Sequence, residues 1–304
     1  MTLGYDGRLY ILAFDHRGSF KKKMFGIADR EPTPDEQDRI NGAKRLIWDG
    51  FQRALDAGAP RDAAGILVDE EMGASVAREA KEMGLILAMP VEKSGQDIFD
   101  FEYGDDFGTH VEEFDPAFTK VLVRWNPADP DEQKADQGTR LRRLSEWLHD
   151  KGRKFLFELL VPATESQLEQ VAGDPVRYDE EVRPGLMLAT IRELHRAGIE
   201  PDVWKIEGID RREDCVRVAE LIRSGRRDGV VAVVLGRGAN ESKVDHWLET
   251  GAPVDGYRGF AIGRSIWWDA VAGFRDRAKT EERAASEIAT NFRRFISVYE
   301  SATP

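Results

Sequence analysis

The sequence has a single cysteine, Cys215, so no disulfide can form within the 304-residue chain. A reducing compartment fits this composition, and we expect a cytoplasmic protein. The sequence also lacks an apolar stretch near its start, where Met1 to Arg8 is polar and glycine-rich, so no secretory signal is expected. No run of 18 apolar residues occurs anywhere, and this absence argues against a membrane-spanning helix.

Positive charge is scarce relative to negative charge. The 44 lysines and arginines are outnumbered by 56 aspartates and glutamates, which gives a net charge of −12 at pH 7. A protein this acidic repels a nucleic-acid backbone, so we expect no nucleic-acid partner. A small anionic ligand is still compatible, because a few cations focused in a cleft can outweigh the global field locally.

Histidine is also sparse, and its spacing does not suggest a metal site. Neither HxH nor HExxH occurs, so a catalytic zinc site is poorly supported. The acidic run Asp69, Glu70 and Glu71 could hold Mg²⁺, although such a run more often belongs to a solvated loop or binds hydroxyl groups. We expect neither a metal nor an organic cofactor.

Short apolar runs, each typical of a strand buried on both faces, alternate with longer amphipathic stretches. The eight runs are Tyr10–Phe14, Ala64–Val68, Leu85–Met89, Val121–Trp125, Lys154–Val161, Val203–Ile206, Val230–Leu235 and Gly259–Ile262. Eight buried strands with intervening helices predict an α/β fold, the (β/α)8 TIM barrel. A doubly wound open sheet is the alternative, but it usually has fewer strands and needs a phosphate-binding turn after the first one.

The length fits a single barrel domain over residues 1–304, although two domains of about 150 residues are also compatible with it. Thr33-Pro34-Asp35-Glu36 predicts a helix start, and that helix should run to Ala57 before Gly58. The segment from about 94 to 117, after strand three, is interpreted as a long insertion, a candidate lid or contact in a homo-oligomer. A C-terminal helix is predicted over about 281–299.

Charged residues converge where the predicted strands end, which is where barrel enzymes place their sites. Lys205 lies within the apolar run VWKI, and burial of a lysine favours the neutral amine that can attack a carbonyl. Glu158 interrupts FLFELL, and its carboxyl could carry protons if its pKa were raised toward neutrality. Lys120 should face the barrel interior with Leu122 and Arg124. Structural ion pairs are the alternative interpretation for Lys205 and Glu158, and for Lys120 the alternative is a surface lysine at the edge of the strand.

Two glycine-arginine pairs follow strands seven and eight. Gly236-Arg237-Gly238 and Gly263-Arg264 offer exposed backbone N–H groups and guanidinium forks, and each precedes a predicted helix. This pattern predicts an anion site, in a region where barrel enzymes often bind phosphate. Ordinary glycine turns with surface arginines are the alternative. Arg17, after strand one, is a further candidate for binding an anionic substrate.

The motif ILAFDHRGSF, residues 11–20, and the order of Asp15, Lys120, Glu158 and Lys205 resemble a known family of enzymes. The chain is similar to the class I aldolases that include tagatose-1,6-bisphosphate aldolase. It is closer still to the aldolase domain of bifunctional 5-dehydro-2-deoxygluconokinase / 5-dehydro-2-deoxyphosphogluconate aldolase proteins of inositol catabolism. The resemblance extends from Leu9 to about Tyr299.

This resemblance implies roles for the four residues. Lys205 would form the Schiff base, Glu158 would transfer protons, and Asp15 and Lys120 would support them. We therefore expect cleavage of a phosphorylated keto-sugar or keto-sugar acid to dihydroxyacetone phosphate and an aldehyde. We expect two differences from the relatives: no sugar-kinase segment before the barrel, and Arg124-Trp125 in place of aromatic or aliphatic residues. A barrel isomerase or epimerase using Glu158 as base, and a non-catalytic sugar-phosphate-binding protein, are the alternatives.

Overall fold

The computed structural model of the chain describes residues 2–303 and contains eight parallel strands in one sheet. The strands are β1 (Leu9–Ala13), β2 (Ala64–Leu67), β3 (Ile86–Pro90), β4 (Phe118–Arg124), β5 (Lys154–Leu160), β6 (Val203–Glu207), β7 (Val231–Leu235) and β8 (Tyr257–Ile262). They pair in sequence order, and β8 pairs with β1 to close the barrel. The predicted (β/α)8 barrel is confirmed, and the open sheet is wrong.

Helices cover the outside of the barrel and connect successive strands. They are α1 (Gly18–Phe25), α2 (Pro34–Asp56), α3 (Glu70–Glu82), α4 (Phe107–Phe114), α5 (Asp131–Asp150), α6 (Glu165–Gln170), α7 (Pro175–Arg177), α8 (Arg183–Arg196), α9 (Arg212–Arg223), α10 (Glu241–Gly251), α11 (Arg264–Arg275) and α12 (Glu281–Ala302). A π-helical turn, Tyr178–Val182, joins α7 to α8. Within residues 2–303, no helix is long and apolar enough to cross a membrane.

The start of α2 follows the predicted capping pattern. The Thr33 hydroxyl accepts a hydrogen bond from the Glu36 backbone N–H, and the Glu36 side chain accepts one from the Thr33 backbone N–H. Two of the N–H groups that have no partner inside the helix are thereby satisfied. The helix ends at Asp56, one residue before the predicted end, and Gly58 follows with a φ of 97°.

Strand residues alternate between two apolar layers, as the period of a β-strand requires. In β1, Tyr10 and Leu12 pack outward against the helices, whereas Leu9 and Ile11 belong to a small core inside the barrel. Where β8 passes β1, Gly259 has a φ of 144°, and a Cβ there would lie 1.9 Å from the Leu9 carbonyl oxygen. Glycine is therefore required at this crossing.

The loop after β3 contains the segment interpreted as an insertion. An antiparallel bridge joins Glu92 to Phe101, and a 3-10 turn over Gly104–Asp106 leads into α4. Phe101 stacks on Phe107 with ring centroids 4.3 Å apart, so the loop has a small apolar core of its own. Its role as a lid or oligomer contact remains a prediction.

A buried ion pair fixes α2 to the ends of β1 and β2. The Lys44 ammonium, 1% exposed, contacts the Asp69 carboxylate at 2.6 Å and donates to the carbonyl oxygens of Phe14 and His16. Asp69 also accepts from the Met72 N–H and so caps α3. Because both charges are removed from water, each depends on the other for compensation.

Replacing Lys44 by methionine should therefore lower the free energy of unfolding by roughly 3–5 kcal/mol, since Asp69 would stay buried without its cation. Urea denaturation at pH 7 measures this loss. The control is Lys151→Met, which removes a half-exposed lysine paired with Glu112 and should change the value by less than about 1 kcal/mol. Losses of similar size in the two variants would contradict this interpretation of the pair.

Candidate active site

A cavity of about 410 Å³ opens at the carboxyl ends of the strands. Its walls come from the ends of β1, β4, β5 and β6 and from the loops after β3, β7 and β8. All nine residues predicted for the site line this cavity: Asp15, Arg17, Lys120, Glu158, Lys205, Arg237, Gly238, Gly263 and Arg264. The topology of the barrel thus brings together side chains that are far apart in the sequence.

Strand register places the central side chains next to each other. Glu158 on β5 is paired with Lys205 on β6, and Leu122 on β4 is paired with Glu158. Lys120, Leu122 and Arg124 all line the cavity, so the predicted alternation along β4 is confirmed. Each of these positions therefore faces the barrel axis.

Two lysines share one carboxylate oxygen at the centre of the cavity. Glu158 Oε2 lies 3.0 Å from the Lys205 Nζ and 3.1 Å from the Lys120 Nζ. The Lys120 ammonium also contacts Asp15 Oδ2 at 2.8 Å and Glu92 Oε1 at 2.7 Å. Lys120 is therefore surrounded by three carboxylates, whereas Lys205 contacts one.

This arrangement decides how the buried groups titrate. Burial raises the pKa of Glu158, but the charges of Lys120 and Lys205 outweigh burial and hold that pKa below its usual value. The raised pKa that proton transfer would require is therefore not present with both ammonium groups in contact. Burial likewise opposes the charged forms of Asp15 and Lys120, yet their mutual attraction lowers the pKa of Asp15 and raises that of Lys120.

His16 and Glu92 respond mainly to burial. Burial and the nearby cations lower the pKa of His16 to about 4, so the imidazole is neutral at pH 7. Burial raises the pKa of Glu92 despite the contacts of this carboxyl with Lys120 and Arg17. Glu92 Oε2 is buried and has no hydrogen-bond partner among the described residues.

Arg17 connects two loops at the edge of the cavity. Its guanidinium donates to Glu102 Oε2 at 2.8 Å and to the backbone oxygen of Glu92 at 2.6 Å. The contacts tie the loop after β1 to the loop after β3, so much of the donor capacity of Arg17 is already used. A role for Arg17 in substrate binding remains a prediction.

The two glycine-arginine pairs meet on one side of the cavity but differ in charge balance. Arg237, with a φ of 51°, is ion-paired with Asp179 at 2.7 Å and Glu207 at 3.0 Å. Arg264 contacts no carboxylate in residues 2–303 and donates to the Arg237 carbonyl oxygen at 2.8 Å. Arg264 is thus the arginine of this pair with charge left for a ligand, beside the start of α11.

A glycine makes room for the Arg264 side chain. Gly238 has a φ of 71°, and a Cβ built there would lie 2.7 Å from the guanidinium carbon of Arg264. The predicted site residue Gly238 therefore supports this position of Arg264 through its lack of a side chain.

The acidic run after β2 lies outside the cavity. Asp69 is paired with Lys44, Glu70 contacts His110 at 2.9 Å, and Glu71 contacts Lys21 at 2.9 Å. Over residues 2–303, no group of three or more potential ligands is placed to hold a metal ion. These carboxylates serve the packing of helices and loops.

The cavity is also lined by residues outside the predicted set, among them Glu92, Gln96 and Arg124. Glu92 lies two residues after the end of β3, and this position was a usable signal, since polar residues that follow strands converge at one end of a barrel. Gln96 lies in the loop after β3 and offers no such signal.

The fold is similar to solved structures that include two fructose-bisphosphate aldolases. Fructose-bisphosphate aldolase from Plasmodium falciparum, solved with TRAP and a small-molecule inhibitor, superimposes with a TM-score of 0.63 at 15% identity, covering 98% of this chain and 92% of that one. A Schiff-base-forming fructose-1,6-bisphosphate aldolase gives 0.57 at 14% identity, covering 96% and 94%. The protein Cgl0159 from Corynebacterium glutamicum gives 0.56 at 15%, covering 97% and 88%.

At 14–15% identity, these similarities show the barrel fold alone. No curated protein matches the chain in sequence. A family model described as "Uncharacterized protein conserved in bacteria (DUF2090)" matches residues 5–303. The chain belongs to that family.

The contacts of Lys120 with Asp15, Glu92 and Glu158 lead to a prediction about how stability depends on pH. Without the cation in Lys120→Met, burial and mutual repulsion should raise the pKa values of Asp15, Glu92 and Glu158 above the values of about 4 in the unfolded chain. The folded variant would then take up protons first as the pH falls, which stabilises it relative to the unfolded chain. The free energy of unfolding of Lys120→Met should be lower than that of the wild type by roughly 3–5 kcal/mol near pH 8, and this deficit should shrink toward pH 5.

Urea denaturation across this pH range measures the deficit. The control is again Lys151→Met, whose small effect should not depend on pH in this way. A deficit for Lys120→Met that stays constant from pH 8 to pH 5 would mean that the three carboxylates are not held ionised by this lysine.

Proposed function

We propose that the chain is a class I, Schiff-base-forming aldolase that acts on a phosphorylated keto-sugar or keto-sugar acid. The observation that carries the proposal is the unequal treatment of the two buried lysines. Lys120 contacts three carboxylates, which favour its charged form, whereas among residues 2–303 Lys205 contacts one carboxylate, Glu158, at 3.0 Å. Lys205 is therefore the better candidate to give up its proton and attack a carbonyl.

The proposed reaction begins when the Lys205 Nζ adds to the ketone carbon and loss of water leaves an iminium ion. Glu158 then removes the proton from the hydroxyl group on the carbon β to the imine carbon. The bond between the α and β carbons breaks, its electrons pass to the iminium to form a neutral enamine, and the β carbon leaves as the aldehyde. Reprotonation of the enamine carbon and hydrolysis release the ketone product and free Lys205.

The charge balance around Glu158 suits the bond-breaking step. The iminium on Lys205 is positive and the enamine is neutral, so one of the two cations beside Glu158 disappears as the carbon–carbon bond breaks. The pKa of Glu158 should rise at that moment, because an adjacent cation favours the carboxylate. The proton affinity of the Glu158 carboxylate would thus increase in the step in which this group accepts the proton.

For the substrate, we favour 5-dehydro-2-deoxygluconate 6-phosphate, cleaved to dihydroxyacetone phosphate and malonate semialdehyde. Arg264 and the start of α11 would bind the phosphate, and the cavity of about 410 Å³ is in the range of small-ligand sites. The other candidates are another sugar-phosphate aldolase of the tagatose-bisphosphate type, a barrel isomerase or epimerase, and a non-catalytic sugar-phosphate-binding protein. The last two classes need no imine.

Borohydride in the presence of dihydroxyacetone phosphate should inactivate the protein and add the mass of the reduced adduct to Lys205, as peptide mass spectrometry would detect. Lys205→Met should form no adduct, whereas the surface variant Lys151→Met should form it as the wild type does. An adduct on another lysine would reject Lys205 as the nucleophile. The absence of any adduct, with substrate as well as with product, would favour the imine-free alternatives.

Phosphate recognition gives a second test. Arg264→Ala should lower kcat/KM for a phosphorylated substrate by roughly 10- to 150-fold, the loss expected from one charge-assisted hydrogen bond. Cleavage of the unphosphorylated analogue should change little. Arg264→Lys should recover part of the activity, since an ammonium lacks the planar fork. Equal losses with both substrates would identify Arg264 as structural instead.

A further inference from the structure

A second arginine that has no carboxylate partner among residues 2–303 lies on the far side of the cavity from Arg264. Arg124 ends β4, whereas Arg264 follows β8, and strands four positions apart in a closed eight-stranded barrel lie opposite each other. The two remaining arginines of the cavity wall, Arg17 and Arg237, are neutralised by the carboxylates of Glu102 and of Asp179 and Glu207. The cavity therefore has two uncompensated guanidinium groups, one at each end.

Arg124 is held in place without being neutralised. One of its terminal nitrogens donates to the backbone oxygen of Gln96 at 2.6 Å, and no ion-pair partner occurs for it in the described chain. Gln96 is itself anchored, because its side-chain oxygen accepts from the Asp100 N–H at 2.7 Å. The Gln96 Nε2 is buried and has no acceptor within residues 2–303. Unused donors thus lie together at this end of the cavity.

The negative groups at the centre of the site make a cation at this end necessary for an acidic ligand. Asp15, Glu92 and Glu158 lie around Lys120. An anionic group beyond them would be repelled unless a positive charge lay beside it. A guanidinium can hold a carboxylate by two parallel hydrogen bonds, which suits one arginine facing one singly charged group.

We propose that Arg124 binds a terminal carboxylate of the substrate, at the end opposite the phosphate. This inference rests on the aldolase function proposed above and names the substrate as a keto-sugar acid. The chain of the substrate would cross the cavity from phosphate at Arg264, past the ketone at Lys205 on β6, to the carboxylate at Arg124 on β4. The aldehyde released by cleavage then carries the carboxylate and is an oxo acid.

The aldol addition tests this assignment, because the ketone half is constant and only the aldehyde changes. Dihydroxyacetone phosphate would be combined with 3-oxopropanoate, with uncharged propanal, or with glyceraldehyde 3-phosphate, and kcat/KM would be measured for each aldehyde. The variants are Arg124→Met, Arg124→Lys and, as a matched control, Arg142→Met. Arg142 is an exposed arginine on the outer helix α5 near Glu146.

We expect Arg124→Met to lower kcat/KM for 3-oxopropanoate by roughly 10- to 150-fold, the range for one charge-assisted hydrogen bond. The value for propanal should not change, which also shows that the variant is folded. Arg124→Lys should recover part of the loss, and Arg142→Met should behave as the wild type.

Equal losses for 3-oxopropanoate and propanal would overturn the proposal, since Arg124 would then be structural. A loss confined to glyceraldehyde 3-phosphate would also overturn it, by identifying a second phosphate site. Failure of the aldolase proposal itself is distinguishable, because in that case borohydride would trap no imine of dihydroxyacetone phosphate on Lys205.

Discussion

A single carboxylate oxygen shared by two buried ammonium groups is the contact on which the rest of the site depends. Removing the charge of Lys120 would leave Asp15, Glu92 and Glu158 without the cation that they share in a region of low dielectric. The barrel can hold them because their strands are adjacent and parallel, so the register between β4, β5 and β6 sets the distances directly. The geometry of the cluster is thus a property of the sheet.

The groups proposed to react and the groups proposed to recognise substrate lie on different parts of the fold. Lys120, Glu158 and Lys205 lie within strands, whereas Arg264 follows the last strand, at the start of α11. Arg124, at the last position of β4, lies at the border between the two regions. Loops can change with less cost to the core than strands, so substrate preference can change while the reacting groups stay in place.

Much of the barrel could be predicted because eight strands buried on both faces produce eight apolar runs. The predicted bounds of the strands were less accurate, since the hydrogen-bonded part of a strand and its apolar run do not end at the same residue. The predicted apolar run Val121–Trp125 missed Phe118 and Thr119, which belong to β4 although Lys120 interrupts the apolar pattern. In β8, Arg258 interrupts the run in the same way, and the strand begins at Tyr257 instead of Gly259.

Prediction of the site from the sequence was limited for a similar reason. What a charged residue does depends on partners that are distant in the sequence. Arg237 is between two glycines after a strand and resembles an anion ligand, yet Asp179 and Glu207 neutralise it. For Glu158, an isolated buried carboxyl suggests a raised pKa, whereas two neighbouring lysines reverse the shift. Glu92 contacts Lys120 and Arg17, partners 28 and 75 residues away.

The contact between Gly238 and Arg264 has a consequence for how the family could diversify. Any side chain at position 238 would collide with the guanidinium of Arg264, because a Cβ there falls 2.7 Å from its central carbon. A single base change at that codon could therefore displace the arginine while leaving the arginine itself encoded. Inherited differences in the position of this arginine could then arise at an uncharged residue, and a comparison of the charged positions alone would overlook them.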